Sequence, residues 1–159
     1  MTLSEDTFME IALEEAKLAQ QRGEVPVGAC LVNESGEIIA RAGNRTIELN
    51  DPTAHAEILV MREACSQMAN YRLPGLTLYT TLEPCVMCAG AIVNARIERI
   101  VFATRDERFG ATRTLFNICD DPRLNHRLQV EEGAMAEESR RLLKEFFKVR
   151  RDQPPGAHT

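Results

Sequence analysis

The stretch LTLYTTLEPCVMCAGAIVNARIERIVFAT, residues 76–104, contains the information from which the fold can be argued. Residues 76–82 are rich in β-branched and aromatic side chains, which suit a pleated strand. Pro84 breaks that strand, and the small and apolar run 85–95 reads as a helix. Residues 99–104 form a second β-rich run. A strand, a helix and a strand within about 28 residues make a βαβ unit, whose crossover is right-handed and whose strands are therefore parallel.

Working outward, residues 27–33 and 37–44 are β-rich runs joined by Glu34-Ser35-Gly36, which predicts an antiparallel hairpin. Before it, Ser4 is placed to cap a helix whose apolar residues Phe8, Ile11, Ala12, Ala16 and Ala19 recur at helical spacing up to Gly23. After it, Pro52 suits a helical first turn, and a second helix is expected from Pro52 through Met68. Pro74 and Gly75 end that connection. Beyond the βαβ unit we expect a loop or short helix over 106–118, a turn at Asp120-Asp121-Pro122 and a fifth strand over 127–131. A last amphipathic helix is expected over 134–151, with Leu142, Leu143, Phe146 and Phe147 as its apolar content, and then a frayed tail over 152–159. This order predicts one α/β domain over 1–151: three layers, a five-stranded mixed sheet, and helices on both faces. Ligands in such sheets bind beyond the carboxyl ends of parallel strands.

The chain has 159 residues, 44% hydrophobic and 27% charged, which argues against disorder and leaves room for one domain of ordinary size. No apolar run approaches the roughly 18 residues of a membrane span. The acidic, amphipathic start does not resemble an export signal, so the expectation is a cytoplasmic protein with no membrane partner. The formal charge of −5 argues against nucleic acid at first sight, but it is unevenly distributed. Residues 1–70 carry 5 basic and 12 acidic side chains, whereas between 139 and 151 Arg140, Arg141, Lys144, Lys148, Arg150 and Arg151 face only Glu145. A polyanion has a place to dock there.

Five cysteines, spread thinly through a chain expected in a reducing compartment, do not describe a disulfide framework. Cys30, Cys65 and Cys119 read as small buried hydrophobes. Cys85 and Cys88 are different. They stand three apart where a strand gives way to a helix, and the unpaired amides of a helix N-terminus favour thiolates. His55-Ala56-Glu57 opens the second helix, at the same kind of position. One imidazole and two thiolates suit a catalytic Zn²⁺ that keeps a fourth position for water. Glu57 is then a proton acceptor beside the metal without being a ligand. A redox role for the cysteine pair leaves His-x-Glu unexplained, and a structural zinc site needs a fourth ligand that neither segment supplies.

The pattern His-x-Glu with Pro-Cys-x-x-Cys is that of the zinc-dependent nucleobase deaminases. More narrowly, residues 51–57 (DPTAHAE), 81–91 (TLEPCVMCAGA) and 124–127 (LNHR) resemble the bacterial tRNA-specific adenosine deaminases, the TadA family. The resemblance runs over residues 4–151. It implies a cytidine deaminase-like fold, a homodimer with one zinc ion per subunit, and the anticodon stem-loop of a tRNA, most readily an arginine tRNA, as partner, with DNA not a natural substrate. It implies hydrolysis of adenosine to inosine at the wobble position, with zinc-bound hydroxide attacking C6 and Glu57 moving the protons. It also implies that Asn44 holds the target nucleotide, that Asp106 and Arg108 lie on a loop against the anticodon, and that Phe147 and Arg151 meet a flanking base and a phosphate. His126 reads as structural. Residues Ala111-Thr112-Arg113-Thr114 depart from the smaller residues that the resemblance leads one to expect. Exposed apolar side chains on the third helix, Ala89 to Val93, would fit that homodimer. Two other activities share these motifs, a free guanine or cytosine deaminase and a non-catalytic zinc scaffold that binds RNA.

Overall fold

The computed structural model describes residues 4–153. Helix α1 (Glu5–Gln21) starts where Ser4 Oγ accepts the Thr7 amide, with Glu5 and Asp6 in its first turn. It is followed by β1 (Gly28–Val32), β2 (Ile38–Gly43), α2 (Ala56–Met68), β3 (Thr77–Leu82), α3 (Val86–Asn94), β4 (Arg99–Thr104), β5 (Gln129–Glu132) and α4 (Ala136–Arg151). The sheet order is β2-β1-β3-β4-β5. The hairpin β1–β2 and the pair β1–β3 are antiparallel, while β3–β4 and β4–β5 are parallel, so the βαβ reading and the mixed sheet hold.

Helix α1 covers β1, β2 and β3, with α4 beside it against β3 and β4. Helix α2 covers the other face and meets α3 there. Two apolar layers result. Phe8, Met9, Ala12, Cys30, Tyr79, Val101 and Ala103 fill the α1 side. Leu31, Val60, Ala64, Leu78, Ile92 and Ile100 belong to the larger layer beneath α2 and α3. The alanines of α1 let it come unusually close to the sheet: a Cβ on Gly28 would stand 1.9 Å from the Ala12 carbonyl oxygen. Only glycine fits there, and the first helix and first strand are thereby locked face to face.

Several expectations shift. The second helix starts at Ala56, not at Pro52, because Asp51 Oδ1 accepts the Thr53 amide and hydroxyl at 2.8 and 2.7 Å and holds that segment in a turn. The segment 106–118 contains turns and no helix, and the fifth strand lies slightly later than expected, at Gln129–Glu132. Ala89, Ile92 and Val93 are not exposed for a partner; they are buried in the core, and α3 presents Val86 instead. Cys30 and Cys119 are buried as expected, whereas Cys65 is only half-buried against the core. Asp152 caps α4, and the rest of the expected tail, residues 154–159, lies outside the described residues. Among the described residues, no helix is long and apolar enough to cross a membrane.

Candidate active site

Two helices begin at the same place. His55 is the N-cap of α2 and Cys85 the N-cap of α3, both in extended backbone conformation and neither using its side chain to cap its own helix. Their side chains turn to each other instead. His55 Nδ1 lies 3.7 Å from Cys85 Sγ and 3.5 Å from Cys88 Sγ, and the three ligand atoms lie within 4.8 Å of one another. Cys88 stands three residues after the N-cap, the spacing at which side chains of a first turn meet. A tetrahedral zinc ion with bonds of about 2.3 Å to sulfur and 2.0 Å to nitrogen requires N···S separations of about 3.5 Å. His55, Cys85 and Cys88 therefore fit zinc, with Nδ1 as the ligating nitrogen.

The thiols are electrostatically unequal. The hydrogen bond from the Cys88 thiol, helped by His55, pulls the Cys85 thiol down to about 4 against the cost of burial. The same hydrogen bond and burial push Cys88 up. Hydrogen bonding to Cys85 raises His55 in spite of its partial burial. Metal-ready thiolate character is thus concentrated at the helix end.

Glu57 lies in the first turn of α2, 3% exposed, and its Oε1 has no hydrogen-bond partner among the described residues. Burial raises its carboxyl well above the usual carboxylate range, although the neighbouring His55 charge works the other way. Leaving a buried acceptor unpaired costs about 1–3 kcal/mol, so folding alone does not explain the residue. An oxygen aimed into a metal pocket, able to take and return a proton, does.

Asn44, at the end of β2, is 7% exposed, and its Oδ1 accepts the Ala56 amide at 2.8 Å. It caps the N-terminus of α2 from across the fold and so sets where His55 and Glu57 stand. A groove of about 1710 Å³ opens over the site, lined by Asn44, His55, Glu57, Cys85, Asp106, Arg108, Phe147 and Arg151. Cys88 lies buried behind Cys85. Of the residues proposed from the sequence for metal, catalysis or substrate, all but the buried Cys88 line this one groove. Its volume exceeds the 300–1,000 Å³ typical of small-molecule pockets. On α4, Phe146 is the buried aromatic and Phe147, 44% exposed, packs edge-on against it while facing the groove. His126 is structural: its Nε2 lies 2.8 Å from the Ile97 carbonyl.

Two buried acids were not singled out from the sequence. Glu24 accepts the Ile47 and Glu48 amides, both at 3.0 Å, on one side of the groove. Glu83 accepts the amides of Asp106, Thr112, Arg113 and Thr114 on the other. Burial opposes its charge, but the Thr114 hydroxyl and these amides outweigh that cost and hold the carboxyl below its usual range. The one local signal was an acid between apolar neighbours, Leu82 and Pro84 for Glu83, and Gly23 and Val25 for Glu24.

Residues 3–104 match the model of the cytidine and deoxycytidylate deaminase zinc-binding region. A tRNA-specific adenosine deaminase of Aquifex aeolicus is 49% identical over 150 residues, 94% of this chain and 98% of that protein. A solved structure from work on A-to-I editing by tRNA:A34 deaminases at the wobble position superposes with a TM-score of 0.83 at 49% identity, over 87% of this chain and 99% of that one. The guanine deaminase of Nitrosomonas europaea superposes with a TM-score of 0.74 at 26% identity, over 92% of this chain and 86% of that one.

Proposed function

The chain belongs to the cytidine and deoxycytidylate deaminase family and, within it, to the tRNA-specific adenosine deaminases, and from that membership and the site's geometry we propose how its residues carry out the reaction. The protein is a hydrolytic deaminase that converts adenosine at the wobble position of a tRNA anticodon to inosine. Water adds at C6 of adenine and the exocyclic nitrogen leaves as ammonia.

His55, Cys85 and Cys88 hold one zinc ion per subunit. Zinc at that position supplies the Lewis acidity that makes water nucleophilic near neutral pH. Glu57 takes a proton from water and delivers it to N1, then carries the second proton to the departing amine, so both water protons end in inosine and ammonia. Its buried, unpartnered Oε1 and raised affinity for protons suit this shuttle. Asn44 holds the target nucleotide against the start of α2, while Asp106 and Arg108 meet the anticodon. Phe147 stacks on a flanking base and Arg151, four residues on, takes a phosphate. The expected tRNA is an arginine isoacceptor. A homodimer agrees with the apolar side chains left exposed outside the groove: Val86, Leu115 and Phe116.

The observation that carries RNA rather than a free base is the groove itself, which runs from the zinc ligands to Arg140, Lys144, Lys148 and Arg151 on α4. Zinc-loaded protein is incubated with a tRNA bearing wobble adenosine and, separately, with free guanine, cytosine and adenosine. Inosine at the wobble position is the expected product. Ammonia from guanine or cytosine with no inosine in tRNA would overturn the assignment.

A further inference from the structure

We propose that Glu83 is a positioning residue for RNA: its buried carboxylate fixes the 106–114 loop as a rigid wall of the groove, in register with the adjacent metal ligand Cys85. The inference rests on the functional reading above and adds a residue to it. Glu83 is 1% exposed. Its Oε1 accepts the Asp106 amide at 3.1 Å and the Thr114 hydroxyl. Its Oε2 accepts the amides of Thr112, Arg113 and Thr114 at 3.2, 2.9 and 2.9 Å, and the Thr112 hydroxyl at 3.4 Å. Donors from both ends of the loop thus converge on one carboxylate. Between them, Asp106 Oδ1 accepts the Arg108 and Phe109 amides and turns the chain outward, which brings Arg108 and Phe109 to the groove.

No regular secondary structure holds this loop, and its largest apolar residue, Phe109, is 63% exposed. Apolar packing is confined to the buried Ala111 and does not by itself explain the shape of the loop. The chain closes so tightly that a Cβ on Gly110 would fall 2.5 Å from Glu83 Cδ and 2.5 Å from the Asp106 carbonyl oxygen. The Ala111 amide donates to the Pro84 carbonyl at 2.8 Å, and the Glu83 amide to the Thr104 carbonyl at 2.9 Å. The wall is consequently tied to the junction between β3 and α3 only two peptide units before Cys85. The threonines that depart from the expected smaller residues, Thr112 and Thr114, each bring a hydroxyl to this carboxylate. They tighten the clamp, and the departure has a physical use. An RNA that touches Asp106, Arg108 and Phe109 then meets a preorganised surface and does not have to order a loop on binding.

The test uses the full-length zinc-loaded protein with an anticodon stem-loop as substrate. Glu83→Gln keeps the size of the side chain but turns amide hydrogens toward amide donors. Its KM is expected to rise roughly tenfold or more with kcat within about threefold and zinc content unchanged, while Glu83→Asp recovers part of the loss. Hydrogen exchange at the amides of 112–114 accelerates, and that of α2 and α3 does not. The paired substitution Thr112→Val with Thr114→Val removes two donors without touching the charge, and serves if Glu83→Gln does not fold. It is expected to raise KM by about threefold and to loosen the same amides. Unchanged KM and unchanged exchange would overturn the proposal. So would a fall in kcat accompanied by loss of zinc, which would make Glu83 a support of the metal alone. Should the parent protein leave the stem-loop unedited, the functional reading fails, and exchange at 112–114 still decides whether Glu83 holds the wall.

Discussion

Replacing Arg140, Lys144 and Lys148 together by glutamine should flatten the salt dependence of RNA binding by an amount that the groove itself sets. The cations lining it that make no ion pair among the described residues are Arg108, Arg140, Lys144, Lys148, Arg150 and Arg151. Arg140, Lys144 and Lys148 recur at four-residue intervals, about 6 Å apart along the helix axis. If each of the six meets a phosphate, the slope of log K against log salt is about −4 to −5, a loss of roughly 250- to 1,000-fold between 50 and 200 mM salt. With three removed it becomes about −2 to −3, and the same change of salt costs only about 20- to 60-fold. The assay is fluorescence anisotropy with a labelled anticodon stem-loop and Glu57→Gln as the parent, so that no turnover intervenes. Lys17→Gln, on the exposed face of α1, removes charge away from the groove and should leave the slope alone. A triple variant that retained the parental slope would show that RNA does not lie along α4, whatever happened to its affinity.

Glu57→Gln keeps the shape of the buried side chain and removes its capacity to carry protons. It is expected to lower kcat by about two to four orders of magnitude while the zinc content measured by metal analysis stays at one per chain. A loss of less than tenfold would remove Glu57 from proton transfer. In acid, Arg99 between Glu5 and Glu131, and Arg105 and Arg113 on Glu132, make folding sensitive to protonation. Hydrogen bonds from Arg99 hold Glu131 below the ordinary 4.5, and those from Arg105 do the same for Glu132. Because the folded values lie below the unfolded ones, this stability is present in full above about pH 4.5 and is lost as pH falls through the folded values. Urea midpoints between pH 6 and pH 3 should fall less steeply for the double variant Glu131→Gln and Glu132→Gln than for the parent at equal zinc loading. Parallel curves would refute the assignment.

What the sequence made legible follows from how local each determinant is. The hairpin and the βαβ unit are written in short-range patterns and appear where those patterns put them, and the same patterns bring His55, Glu57, Cys85 and Cys88 to two adjoining helix starts. The start of α2 does not, since Pro52 is locally a good first-turn residue. An Asx turn at Asp51 and the side chain of Asn44, twelve residues before the amide it caps, decide otherwise. Helix α3 is apolar or small on nearly all sides, so periodicity has no polar face from which to orient it. Only the packing of Ala89, Ile92 and Val93 against the sheet shows which side is inward. Glu83 is the extreme case: its donors lie 23 to 31 residues away, and nothing near it in the chain announces that a loop will close around it.

The negative total charge has the same kind of explanation. Half of the acidic residues, 12 of 24, lie in the first 70 positions against 5 basic ones, and the fold uses much of that acid internally. Glu14 and Glu15 pair with Arg41, Glu48 with Arg45 and Arg22, and Asp51 with Arg62. Glu24 is spent on backbone amides, and Glu57 is buried in the site. Arg140, Lys144, Lys148, Arg150 and Arg151 of α4 have no such partners among the described residues and line the groove. A phosphate approaching that groove meets the unpaired charge, because acids already paired at short range contribute little beyond a Debye length of about 8–10 Å. Chemistry and recognition are accordingly divided. On the proposed mechanism, the His-Cys-Cys-Glu set at two helix ends would supply hydrolysis. On the same proposal, the loop on Glu83 and the basic helix α4 would give that chemistry a polynucleotide to act on. Substitutions in the first group should therefore act through kcat and those in the second through KM, and a substitution on α4 that lowered kcat alone would break the division.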